Sequence, residues 1–223
     1  MARHKLTLKH KRLIAAVAAV GAVAGGLGIA AGANASETTS ATRPEPSPEA
    51  AADTPSKKRP VVKVVVKSVL APAATADVAP AVTYDTALAP LGARVQVKEE
   101  LRRDGGTRIE LRLRDLVANR TYGAHVHTKP CGKLPADAGP HYQDQADPVQ
   151  PSVDPKFANP DNEVWLDVNT DKDGSARAIA TVDWRFREGG ARSVVLHEKS
   201  TSTHAGHAGT AGLRLACVNV PFK

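Results

Sequence analysis

Aromatic residues are scarce in this chain: two Trp, three Tyr and three Phe among 223 residues. Proline and glycine are not scarce, at 16 and 17. That balance is too poor in large apolar side chains for a core running the whole length. It predicts one folded domain with disordered flanks. No internal repeat is present, which excludes solenoids and propellers. No helical periodicity survives over three turns after Ala35, which excludes a helical bundle. Acidic residues are missing from residues 1–35, which carry Arg3, Lys5, Lys9, Lys11 and Arg12. The formal net charge of +7 therefore falls to about +2 over the remainder, 25 basic against 23 acidic side chains. The total charge thus gives no argument for a nucleic acid or an anionic membrane as partner. No downstream Lys/Arg cluster with interleaved aromatics appears, so nucleic-acid binding is not expected.

Residues 1–12 are basic, and residues 13–31 carry no charge. Ala33-Asn34-Ala35 then offers the small residues that a signal peptidase reads. The expectation is an export signal cleaved after Ala35. The alternative is a retained membrane anchor, since the uncharged stretch is just long enough to span. Its Ala and Gly content makes it weakly hydrophobic, which favours the signal. There is no twin-Arg pair and no Cys near the cleavage point, so general secretion without a lipid anchor is expected.

Only two cysteines occur, Cys131 and Cys217. In an exported chain they are expected to form one disulfide, the sole connectivity available. The bridge would close a loop of roughly 87 residues, for which chain entropy gives about 4–5 kcal/mol.

Residues 36–60 are Ser, Thr, Pro, Ala and charged residues, with nothing apolar larger than Ala. They are read as a disordered spacer. Residues 61–91 hold a β-branched run, Val61 to Leu70, that suits a first or edge strand. An Ala/Pro-rich stretch, read mainly as loop, follows it. Whether they join the main domain is open in the sequence. From residue 92 onward the pattern is clear. Val95 and Val97, then Ile109, Leu111 and Leu113, alternate with polar residues around Asp104-Gly105-Gly106, as a β-hairpin requires. Further period-two runs are Tyr122–His127, Val164–Val168, Ile179–Phe186, Ser193–His197 and Leu213–Val220. Turn signals separate them at Asp171-Lys172-Asp173-Gly174 and Glu188-Gly189-Gly190. Seven or eight short strands predict an all-β antiparallel sandwich or barrel over residues 92–223. Pro130 to Pro160 differs, with seven prolines and no periodicity. A loop so long is functional or disordered.

Six histidines follow the leader. His125-Val126-His127 places two imidazoles on one face of a strand, a chelating spacing that is weak evidence alone. His197 ends an apolar strand, and on its own it reads more readily as a structural residue than as a ligand. His141 sits inside the long loop. His204 and His207 lie in a Gly/Ala/Thr segment that reads as a solvated loop, with a weak second metal pair as the alternative.

Taken together these segments resemble the Cu/Zn superoxide dismutase family. The carriers are Gly123-Ala124-His125-Val126-His127, Cys131, and Ala138-Gly139-Pro140-His141. They continue with Asp171 to Gly174, Val194 to Lys199, and Ala211 to Cys217. Order and spacing match over roughly residues 92–220. The resemblance implies an eight-stranded Greek-key β-barrel or sandwich. It implies copper ligands at His125, His127, His141 and His197, with His141 the family's bridging and proton-carrying histidine. It implies Arg214 as the guide for the superoxide anion, and the Cys131–Cys217 disulfide. The chain departs from the family at zinc: no His lies between His141 and His197. Asp144, Asp147, Asp154 and Asp161 make a poor zinc site beside one imidazole. A copper-only variant is expected, with zinc absent and Glu163 or Asp167 orienting His141 in its place. The segment from His197 to Arg214, which guides substrate in the family, is short. The function expected is a secreted copper-dependent superoxide dismutase that acts on superoxide and has no membrane partner beyond its export signal. The alternatives are a non-catalytic copper-binding or delivery protein, or a metal-free structural domain, on the same fold.

Overall fold

The computed structural model, which describes residues 61–223, has ten strands, most of them at the period-two runs. They are β1 (Val61–Val69), β2 (Ala71–Pro72), β3 (Ala81–Thr83), β4 (Arg94–Leu101) and β5 (Thr107–Arg114). Next come β6 (Thr121–His127), β7 (Val168–Asn169), β8 (Ala176–Val182), β9 (Ser193–His197) and β10 (Arg214–Asn219). Eight of them are three residues or longer; β2 and β7 have two each. The only helical pieces among the described residues are single 3-10 turns at Ala73–Thr75 and Pro135–Ala138. The export signal and the spacer expected over residues 1–60 lie outside the described residues. Within the described residues no helix is long and apolar enough to cross a membrane.

The fold is an all-β sandwich of two sheets, ordered β1-β4-β5-β8 and β2-β3-β10-β9-β6-β7. The hairpin read around Asp104-Gly105-Gly106 is β4–β5, paired from Arg94↔Arg114 to Leu101↔Thr107. Strand β5 crosses to β6 in the other sheet. The chain then returns through β7 to β8, which pairs with β5, while β7 packs against β8. Four strands in the spatial order β5-β8-β7-β6 make a Greek key. The open question about residues 61–91 is answered by pairing. Strand β1 is an edge strand along β4, and β3 pairs with β10. The three residues of β3 are too short to show a period in an Ala/Pro-rich stretch.

Two boundaries differ from the sequence reading. The Val164–Val168 run lies along β6, with Leu166 N–H on the Ala124 carbonyl at 2.7 Å. Only Val168–Asn169 forms a regular ladder there. The reason is local: the Ala124 N–H donates to the Asp167 carboxylate at 3.3 Å. Strand β8 stops at Val182, because Trp184 and Phe186 turn away to join an aromatic plug with Tyr142 and Phe222. Ring centroids in the plug lie 4.7 to 5.7 Å apart. The few aromatics are thus concentrated where they close one end of the core.

Alternation decides which face is buried. On β6, Tyr122, Ala124 and Val126 enter the core with Leu111, Val194 and Leu196. Gly123, His125 and His127 therefore point outward, away from the opposing sheet. Two long connections cover them, residues 128–167 and 198–213. Cys131–Cys217 ties the first connection to β10. The Cys131 N–H donates to Asn219 Oδ1 at 2.8 Å beside it.

Candidate metal centre

His125, His127, His141 and His197 meet on the outer face of the six-stranded sheet. One ring nitrogen from each lies within 4.8 Å of the others. Strand β6 supplies two of them and β9 supplies His197, opposite Gly123. His141 arrives from the long connection, bridged to His127 and held there because the Tyr142 N–H donates to the Val126 carbonyl at 2.8 Å. Tyr142 itself is locked in the aromatic plug, so the fold fixes the one ligand that no strand carries. Gly123 has a steric reason. A Cβ there would stand 2.6 Å from the Lys199 carbonyl oxygen and 2.8 Å from Ala211 Cβ. The second connection can lie over the site only because that position has no side chain.

Three of the four rings are held by the nitrogen that faces away from the others. His127 Nδ1 donates to the Gly139 carbonyl at 2.9 Å. His141 Nδ1 lies 2.8 Å from Glu163 Oε2. His125 Nε2 lies 2.6 Å from Thr201 Oγ1, whose hydroxyl is 2.6 Å from Asp167 Oδ1. What remains is His125 Nδ1, His127 Nε2 and His141 Nε2. His127 Nε2 is 3.4 Å from His197 Nε2. His125 Nδ1 and His197 Nδ1 are buried without a hydrogen-bond partner; the Gly212 carbonyl faces the latter outside hydrogen-bond geometry.

Burial and the neighbouring imidazoles keep His125, His127 and His197 neutral. The His125 and His127 pKa values are pushed well below 6.5, first by burial and then by His141. Burial, with His141 and Arg214 adding to it, brings His197 down to about 3. Neutral rings present lone pairs, the form a metal needs. Nitrogens about 2 Å from one ion stand at most about 4 Å apart. The 4.8 Å spread therefore closes on an ion with an inward shift under about 1 Å. Two buried orphan nitrogens, rings fixed from behind and four converging imidazoles fit a transition metal such as copper, zinc, nickel or iron.

Of the two carboxylates considered for His141, Glu163 lies on it. It is 1% exposed and accepts from Trp165 Nε1 at 2.7 Å and Gln143 Nε2 at 2.8 Å as well. Asp167 lies instead against Thr201 and, at 4.0 Å, His125 Nε2. Thr201, Trp165 and Gln143 carry no sequence signal for this placement, since each acts through a contact the chain makes only when folded. Arg214 stands opposite His197 on β10 and lines a cleft of about 620 Å³ with His141, His197 and Glu163. Its Nη1 donates to the Pro135 carbonyl at 2.9 Å. Burial lowers its pKa below the ordinary guanidinium range. His204 and His207 are exposed on the second connection, outside the four-histidine group. No second group of three metal-ligating side chains converges among the described residues.

No protein-family model matches the chain, and no curated protein matches it. Among solved structures it is similar to a double mutant of a SOD-like protein from Bacillus subtilis, at 18% identity and a TM-score of 0.45, covering 59% of this chain and 92% of that one. A single mutant of the same protein matches at 16% identity and 0.46, covering 58% and 90%. The clock protein EA4 matches at 22% identity and 0.43, covering 59% and 88%.

Proposed function

We propose that this chain is an exported, copper-only superoxide dismutase, converting two superoxide anions and two protons to dioxygen and hydrogen peroxide. The carrying observation is the convergence of four imidazoles, three of them buried, beside a cleft that also holds Arg214. Copper bound there supplies a one-electron couple, and imidazole suits both of its oxidation states. Arg214 docks the small anion: its guanidinium is fixed at the cleft wall and is always charged. Glu163 holds the proton of His141 on Nδ1, which leaves Nε2 for the metal and later for a proton bound for the product. With Nδ1 engaged by Glu163, His141 has no nitrogen to offer a zinc ion. The disulfide suits an oxidising compartment outside the cytosol.

Metal content per chain and superoxide decay, measured together on the copper-loaded protein, test this reading. One copper, no zinc and fast decay that slows in Arg214→Ala support it. One copper with slow decay turns the site into a copper-holding or copper-delivery centre. One tightly held zinc refutes the copper-only reading.

A further inference from the structure

The near-neutral charge of the domain conceals a strong asymmetry. Residues 61–223 contain 21 Lys and Arg and 19 Asp and Glu. Seven of those cations, but only two of those carboxylates, stand on the outer face of the β1-β4-β5-β8 sheet. Register brings them together. Arg94 faces Arg114 across β4–β5, and Arg112 faces Arg177 across β5–β8. Lys67 faces Gln96, which in turn faces Arg112. At this end of the sheet the face carries two shallow, open hollows. A hollow of about 580 Å³ is lined by Lys67, Arg94, Arg112 and Arg114. A second, of about 420 Å³, shares Arg112 and Arg114 and ends at Arg177. The two form one groove across the sheet.

Internal pairing leaves much of this charge unspent. Glu110 takes Arg112 at 2.6 Å and Arg177 at 2.5 Å, and Asp115 takes Arg94 at 2.7 Å. These arginine side chains are still half exposed, at 52%, 51% and 57%. Lys98 and Arg108 are bound to Glu100 farther along the sheet. Lys67 and Arg114 are exposed and have no carboxylate partner among the described residues. Asp171 is the one acid that lines the second hollow, and its Oδ1 is occupied by the Asp173 and Ser175 amides.

We infer that this groove binds a linear acidic polysaccharide, its anionic groups taken in turn by Lys67, Arg94, Arg114, Arg112 and Arg177. A row of guanidiniums at strand spacing suits repeated planar or tetrahedral anions, which accept two hydrogen bonds from each fork. No outward position on these four strands is aromatic. A single-stranded nucleic acid would lack its stacking platform there. The apolar neighbours Val65, Val69 and Ile179 are short branched residues on a sheet, not projecting Trp, Phe or Leu of the kind that enters lipid. The groove lies on the opposite side of the sandwich from the four histidines, so both are open at once.

The test uses the full chain and a heparin oligosaccharide as probe, with duplex DNA and phosphatidylglycerol-containing vesicles as comparison arms. The variant Lys67→Gln/Arg114→Gln removes two cations that form no ion pair among the described residues, and Asp115 keeps its pair with Arg94. The control Lys129→Gln/Lys156→Gln removes the same charge from exposed positions on the connection that covers the histidines, away from the groove. The expected result is a salt-sensitive affinity for heparin that falls about tenfold or more in the groove variant and stays within about twofold in the control. An equal loss in both, or none in either, overturns the groove. Tighter binding of DNA or vesicles, lost in the same groove variant, overturns the assignment to a polysaccharide. Unchanged thermal unfolding of the groove variant shows that the loss comes from the surface and not from misfolding.

Discussion

His141 Nδ1 and Glu163 Oε2 lie 2.8 Å apart, one of them half-buried at a cleft and the other sealed beneath it. The carboxylate does two things for the ring: it fixes the tautomer, and it fixes the direction of Nε2. Partners of this kind affect metal affinity by about 10- to 100-fold when removed. Glu163→Ala should therefore weaken copper binding by that order in a competition titration. Glu163→Gln should lose less, because the amide oxygen still accepts from Nδ1. Equal affinity in Glu163→Ala and wild type would mean that His141 is positioned by its backbone alone.

Thr201 is the counterpart on His125. Its hydroxyl sits between His125 Nε2 and Asp167 Oδ1, and its amide donates to Asp167 Oδ2 at 2.7 Å. The hydroxyl directs Nε2 outward and leaves Nδ1 for the centre. Thr201→Val keeps the shape and removes that link. Copper affinity should drop about tenfold, and the copper EPR spectrum should change as His125 gains freedom to turn. Thr201→Ser should restore both. A spectrum unchanged in Thr201→Val would show that burial, not the hydroxyl, sets the ring.

The disulfide anchors the connection that carries His141. It closes a separation of 86 residues between two buried positions. Replacing both cysteines by Ser should lower unfolding free energy by about 2–5 kcal/mol in denaturant melts. It should also weaken copper binding, because residues 128–141 lose their tie to β10. Lost stability with unchanged copper affinity would assign the positioning of His141 to Tyr142 and the aromatic plug.

Much of this fold was legible in the sequence because its signals are local. Alternation in β4, β5, β6 and β9 survives at the level of single strands, and Asp104-Gly105-Gly106 marks its hairpin. The spacing of His125 and His127 places two imidazoles on one face before any fold is known. Other features depend on register or on loop path, which no local pattern encodes. Strand β3 is three residues long in an Ala/Pro-rich stretch. The choice between Glu163 and Asp167 turns on which side of Trp165 the chain presents to His141. Thr201 becomes a partner of His125 only because Gly123 lets the second connection descend. The basic groove averages out of the net charge, since its cations come from alternate positions on four strands.

Glu99 gives the fold a pH dependence of its own. It lies on β4 among inward residues and is fully buried. Its only hydrogen-bond donor among the described residues is the Lys223 backbone N–H, at 3.1 and 3.3 Å. Burial pushes its pKa up to about 7 from 4.5, against smaller opposing contributions from that N–H and from Arg185. The folded state therefore holds the proton more tightly than the unfolded state does. The associated stability is fully present below about pH 4.5 and is lost as pH rises through about 7. At most about 3.5 kcal/mol is involved, from about 1.4 kcal/mol per unit. Glu99→Gln keeps the acceptor for Lys223 and removes the charge. Its unfolding free energy should be nearly flat relative to other groups across this range, and its advantage over wild type should grow from about pH 5 to about pH 8. Parallel curves for the two proteins would place the Glu99 titration outside this window.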